Sequence, residues 1–223
     1  MTPFSYADAP VEVAPAVADS HRSVWDELRR CGTWWTAAER LTVAGRARAV
    51  LAQRHLPPWS RPLDAVADLP PAAATVVDQV ASAPGSIDRA WAEARVAELG
   101  DGPYVELVGV TATVAMVDVF AVAAGVAPEP LPGPDDEPGE PSRGRPSGMG
   151  DIGAYVVVTD PFEYANVARA LSLVPAVNRL FRTASVPMYS APGMEDLVWS
   201  TPLQRPQVEL VASRVAAMNE CFY

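Results

Sequence analysis

Apolar residues recur along this chain with the helical period at most positions, and the strand period is almost missing. From Ser20 to Arg30, Val24, Trp25 and Leu28 share one face and predict a first helix. Thr36-Ala37-Ala38-Glu39 then reads as a capping box, in which the threonine oxygen and the glutamate carboxylate satisfy each other's free amides. Behind it Leu41, Ala44, Ala47, Val50 and Leu51 form a stripe, with Arg40, Arg46 and Arg48 off it, and Pro57-Pro58 ends the helix. Further helices are expected over 72–82 and 86–99, the second with Ile87, Trp91 and Ala94 on one side. Residues 104–124 are apolar on nearly every face, which marks a buried central helix, and Gly125 ends it.

The pattern then stops. Pro128 to Gly150 holds seven prolines, five glycines and no aromatic residue, a composition that neither packs a core nor propagates a helix. The organisation read from this is a flexible arm over 1–19, a helical half over 20–125, a linker over 126–150 with a domain boundary in it, and a second helical half over 151–223, the two halves packing as one bundle or as two. In that second half Tyr155 to Val158 suits a short strand, and helices are expected over 162–171, 175–185 and 206–218. Val208, Val211, Val215 and Met218 make an amphipathic stripe on the last one. The fold class is all-α.

Composition narrows the function classes. All 17 basic residues are arginine, and against 27 acidic ones they leave a net charge of -10. That field repels phosphates, so neither nucleic acid nor an anionic membrane surface is an expected partner. The first 20 residues carry no positive charge, unlike a signal peptide. The most apolar run, Leu107 to Val117, falls short of the ~20 residues that span a bilayer. A soluble cytoplasmic protein is expected. Two cysteines exclude a disulfide-held scaffold. The histidines His21 and His55 stand isolated, so no metal and no cofactor is expected. Cys31 reads as packing, with a bridge to Cys221 as its alternative. Met116, Met188, Met194 and Met218 read as core filling. Glu106 and Asp118, flanking the buried run, need partners to be tolerable there, and arginines from other helices are expected to supply them, with a polar pocket as the alternative.

The chemistry-bearing candidates are Cys221 and Glu209. A thiol becomes nucleophilic beside a base or at a helix start, and Asn219 is a residue type that ends helices. On one straight helix Glu209 and Cys221 would lie about 18 Å apart, so their cooperation requires the chain to turn.

Glu209-Leu-Val-Ala-Ser-Arg-Val-Ala-Ala-Met-Asn-Glu-Cys221-Phe-Tyr223 resembles the signature helix of alkylhydroperoxidase D-like proteins, in the carboxymuconolactone decarboxylase-like superfamily. Trp34-Trp35-Thr36-Ala37-Ala38-Glu39-Arg40, Tyr104-Val105-Glu106-Leu107-Val108 with Asp118 and Phe120, and Ala170-Leu171-Ser172-Leu173-Val174-Pro175 with Asn178 and Arg179 are similar to an actinobacterial-type branch of the same group. Helices 36–54 and 104–124 resemble the half of that fold after the cysteine motif, and residues 161–223 the half before it. The resemblance implies an alkylhydroperoxidase D-like helical bundle, a homo-oligomer, a small-molecule hydroperoxide as substrate and a thiol electron donor. It implies Cys221 as the first, resolving cysteine of a CxxC pair, with Glu209 assisting proton transfer. The second cysteine and the histidine that follow in the family are absent after Tyr223. The functional expectation is therefore a thiol peroxidase or oxidoreductase fold, as a truncated or inactive copy, or else a non-catalytic helical binding or assembly module. Decarboxylase chemistry has no suitable histidine in the matching segment.

Overall fold

The computed structural model describes residues 3–54, 68–164, 166–189 and 203–218. Among these the protein is all-α: α1 (Pro15–Leu28), α2 (Ala37–Arg54), α3 (Pro71–Ser82), α4 (Arg89–Leu99), α5 (Asp101–Ala123), α6 (Pro175–Tyr189) and α7 (Arg205–Met218). A two-residue antiparallel ladder, β1 (Met149–Gly150) on β2 (Val158–Thr159), is the strand content.

Local chemistry sets the helix starts. The capping box at α2 forms as its sequence dictates: the Thr36 amide donates to Glu39 Oε2 at 2.8 Å and the Glu39 amide to Thr36 Oγ1 at 3.3 Å. Asp88 caps α4 by accepting from the Trp91 amide at 2.8 Å. Pro15 and Pro71 open α1 and α3, where a missing N–H costs nothing.

α5 runs through the centre, with α2, α3, α4 and α6 packed around it and α1 laid against α6 and α2. Leu28, Val43, Val76, Leu107, Val110, Val114 and Leu180 meet there, each no more than 3% exposed. Burying side chains of this kind is worth about 1.5–3 kcal/mol apiece. Gly109 is what lets α6 approach: a Cβ there would sit 2.5 Å from Val177 Cγ2. By length and composition α5, with mean hydropathy 1.9, would cross a membrane, and 61% of its most apolar window is buried inside the protein. The short-run argument against a span therefore fails, because the helix extends well beyond Leu107–Val117. Coverage by four neighbouring helices accounts for its apolar faces instead.

The sequence leaves open whether the halves flanking residues 126–150 form one bundle or two; Leu173, Val174, Val177 and Leu180 share a core with α1 to α5. The segment is a strap along α1 and the α1–α2 loop. Proline cannot donate, but its carbonyl accepts, and the strap is held that way: Trp25 Nε1 donates to the Pro130 carbonyl at 2.9 Å and the Cys31 amide to that of Pro138 at 2.9 Å. The Arg143 amide returns a bond to the Thr33 carbonyl at 2.7 Å. Within the segment read as a flexible arm, Phe4 and Tyr6 are anchored and 15–19 are helical. Phe4 is 3% exposed and its amide donates to Glu129 at 3.3 Å. The helix expected over 162–171 is only a 3₁₀ turn over Asn166–Arg169. Arg169 folds that segment back by donating to the Thr159 carbonyl at 2.9 Å and twice to Asn166 Oδ1 at 2.9 and 2.7 Å. The short strand expected over 155–158 lies further on, at Val158–Thr159.

Candidate functional site

Glu209 lies in α7, one turn after Arg205, and its carboxylate meets two donors. Tyr189 Oη at the end of α6 donates to Oε2 at 3.2 Å, and Arg205 Nε stands 3.4 Å from Oε1. The carboxylate and local burial hold the Tyr189 phenol above its ordinary value, desolvation being the larger cause, so the phenol stays a donor. The two partners fix the position of a half-exposed acid on the α6–α7 side of the protein. Tyr189 was not legible as a partner, because it lies twenty residues before Glu209 and no local spacing joins them.

Cys221, the other half of the expected pair, lies outside the described residues, as do His55 and Met194. α7 itself continues to Met218, which places Glu209 and that residue about 13 Å apart along one axis. Nine of the twelve steps from Glu209 to Cys221 are thus spent travelling away from the carboxylate.

The apolar stripe of α7 faces the wrong way for a core helix. None of its side chains is buried. Arg205, Val208, Glu209, Ala212 and Ala216 are the half-covered ones, while Leu210 is 71%, Val211 59%, Val215 52% and Met218 70% exposed. Met218 is therefore not core filling. Met116 and Met188 do pack against the core.

Cys31 is a free, half-buried thiol. It donates to the Gly139 carbonyl at 2.9 Å, so the strap occupies its hydrogen-bonding capacity. The loop it belongs to rests on Glu106, 1% exposed, which accepts from the Trp34 amide at 2.7 Å and pairs with Arg40 at 3.6 Å. A Cβ on Gly32 would lie 1.6 Å from Glu106 Oε1, so only glycine fits above this carboxylate. Burial raises the Glu106 carboxyl, with the Trp34 amide and Arg40 opposing it, and burial lowers Arg40, with Glu106 opposing.

The second buried pair is tighter. Arg48 Nε donates to Asp118 Oδ2 at 2.7 Å and Nη2 to Oδ1 at 2.6 Å, a bidentate fork inside the helical body. Burial raises the Asp118 carboxyl and the Arg48 bonds pull the other way. Both expected acid–arginine pairings are therefore present, each between α5 and α2. Beside them His21, 0% exposed, accepts or donates at Nδ1 to Tyr6 Oη at 2.6 Å and reaches Met188 Sδ from Nε2 at 3.3 Å. Desolvation lowers its pKa to about 4, so the ring is neutral; Tyr6, raised chiefly by desolvation, is then the donor. Phe4 and Phe120 close edge-on around the ring at centroid distances of 5.5 and 5.2 Å. This is a sealed structural cluster that pins the N-terminal segment.

Among the described residues no group of three His, Cys, Asp or Glu side chains is placed to hold a metal ion. No protein-family model, no curated protein and no solved structure matches the chain.

Proposed function

We propose that this chain is a cytoplasmic thiol oxidoreductase module of the alkylhydroperoxidase D-like kind, working as a homo-oligomer, with Cys221 as its redox sulfur and Glu209 as the acid–base group. The observation that carries the reading is the seat of Glu209: a carboxylate fixed by Tyr189 and Arg205 near the start of α7, on the helix that leads into Asn219-Glu220-Cys221. Although the resemblance sets Cys221 at the resolving position, here it takes the attacking role: its thiolate attacks the outer oxygen of a hydroperoxide, a sulfur–oxygen bond forms and the oxygen–oxygen bond breaks. Sulfur loses two electrons and becomes a sulfenic acid, and the alkoxide leaves as an alcohol with a proton from the acid. An external thiol donor then displaces water from the sulfenic acid, and a second donor thiol releases the reduced cysteine.

The course of α7 adds a requirement. Glu209 and Cys221 meet only if the chain reverses after Met218, or if two copies bring one residue each. Hydroperoxide consumption in the presence of excess dithiol tests the reading: loss in Cys221→Ser and a clear drop in Glu209→Gln are expected, whereas turnover that ignores both substitutions refutes it.

A second reading, a non-catalytic assembly module, draws on the outward stripe of α7. It expects no turnover and an association state that weakens when Val211 and Val215 become serine. Unchanged association in that variant counts against it.

A further inference from the structure

A cavity of about 250 Å³ lies between the first turns of α5 and the chain that follows the strap. Its walls are hydrocarbon: Val105 and Val108 from α5, Ile152, Val156 and Val158 from the hairpin, and Leu171 from the turn before α6. Four polar side chains also line it: Tyr155, Asn166 and Arg169, which bond to other parts of the chain, and Tyr104. Tyr104 lines the cavity and is 6% exposed, and its hydroxyl has no hydrogen-bond partner among the described residues. Unlike Trp34 Nε1 and Thr111 Oγ1, that oxygen is not fully enclosed, and Tyr155, close enough to raise its pKa, lines the same cavity. A buried hydroxyl without a partner forfeits about 1–3 kcal/mol, which a ligand oxygen would restore. The phenol is a donor at any ordinary pH, because burial and Tyr155 both raise it.

The one cation of the lining bears on the charge of the occupant. Arg169, with a 12% exposed side chain, is already committed to the Thr159 carbonyl, to Asn166 Oδ1 and to Asp160 at 3.3 Å. A guanidinium matched by a neighbouring carboxylate offers no net attraction to an anion or a cation. An apolar cavity of about 150 Å³ holds benzene, so the volume here suits a molecule of roughly ten non-hydrogen atoms. We propose that this cavity is a binding site for a small neutral molecule, largely hydrocarbon and carrying one oxygen that hydrogen-bonds to Tyr104, in the manner of a medium-chain alcohol. The site stands apart from Glu209 and from the redox reading, and it holds or fails independently of both.

Titration of the full chain with 1-hexanol, followed by calorimetry and by amide chemical shifts, tests this. Expected are saturable binding, shifts concentrated at residues 104–108, 152–158 and 166–171, and weakening of about five- to tenfold in Tyr104→Phe, which keeps the cavity and removes one hydrogen bond. Filling the space with Val108→Phe abolishes binding; if that variant does not fold, the shift pattern in the unaltered chain decides. The proposal is overturned if hexanol does not saturate, if the shifts gather elsewhere, or if Tyr104→Phe binds equally well. Hexanoate binding more tightly than hexanol overturns the neutral-ligand part.

Discussion

Arg48→Met is the most informative single perturbation of the fold. The guanidinium makes two charge-assisted bonds of 2.7 and 2.6 Å to Asp118, whose side chain is 1% exposed. Removing it strands a carboxylate inside the helical body, and breaking a buried pair from one side costs about 3–5 kcal/mol. That is a large share of the roughly 5–15 kcal/mol that holds a domain folded. Replacing both partners, as Arg48→Met with Asp118→Leu, removes the stranded charge together with the pair and is expected to restore most of the loss. The pH dependence has a definite sign. Burial already raises the Asp118 carboxyl above its ordinary value, and without Arg48 it rises further. An acid whose folded pKa exceeds its unfolded one binds more protons when folded, so the variant regains stability as pH falls through that window. Urea denaturation of the parent, the single and the double variant at pH 7 and pH 5 measures each term, and comparison with the parent cancels contributions from other groups. A single variant within 1 kcal/mol of the parent, a penalty that does not shrink toward acid, or a double variant as unstable as the single would refute the reasoning.

Three further outcomes follow from the packing. His21 has its pKa lowered to about 4, against about 6.5 in the unfolded chain. The unfolded state therefore binds more protons between those values, and the protein loses up to about 3 kcal/mol as pH drops from 6.5 toward 4. Denaturation midpoints of the parent and of His21→Gln across that range check this, since Glu106 and Asp118 act in the opposite sense in both; a difference between the two that does not change with pH contradicts it. Tyr6→Phe leaves His21 Nδ1 without its partner at 2.6 Å and is expected to cost about 1–3 kcal/mol, with faster proteolysis of the N-terminal segment as its local signature. Gly32→Ala drives a methyl to 1.6 Å from Glu106 Oε1, and thermal denaturation should show an overpacking loss of about 1–3 kcal/mol.

What the sequence makes legible here is what depends on neighbours a few residues apart. The capping box at Thr36 and Glu39 forms as written, and the all-round apolarity of 104–124 marks the central helix. The cost of burying Glu106 and Asp118 is enough to require arginine partners, and Arg40 and Arg48 supply them from α2. The misreadings share one cause, partners distant in the chain. Pro128 to Gly150 lacks side chains to build a core, yet its carbonyls find Trp25 and Cys31 about a hundred residues away and become a strap. Tyr6 looks like part of a loose arm until His21 is placed beneath it. Local periodicity called 162–171 a helix, and Arg169 overrides it through side-chain bonds to Asn166 and to the Thr159 carbonyl. On α7 the stripe of Val208, Val211, Val215 and Met218 is real, but periodicity carries no information about which side the rest of the protein takes. Glu209 was singled out from its sequence, while its partner Tyr189 was not.

The redox reading rests on the sulfur of Cys221, so the most direct test is to locate oxidation. The chain is exposed to a small organic hydroperoxide, its sulfenic acids are trapped with a dione, and the label is mapped by mass spectrometry on Cys221 and Cys31. The account predicts labelling of Cys221 well ahead of Cys31, whose thiol is hydrogen-bonded to the strap, and a marked slowing in Glu209→Gln. Equal labelling of the two cysteines, or a Cys221 rate indifferent to Glu209, would contradict it.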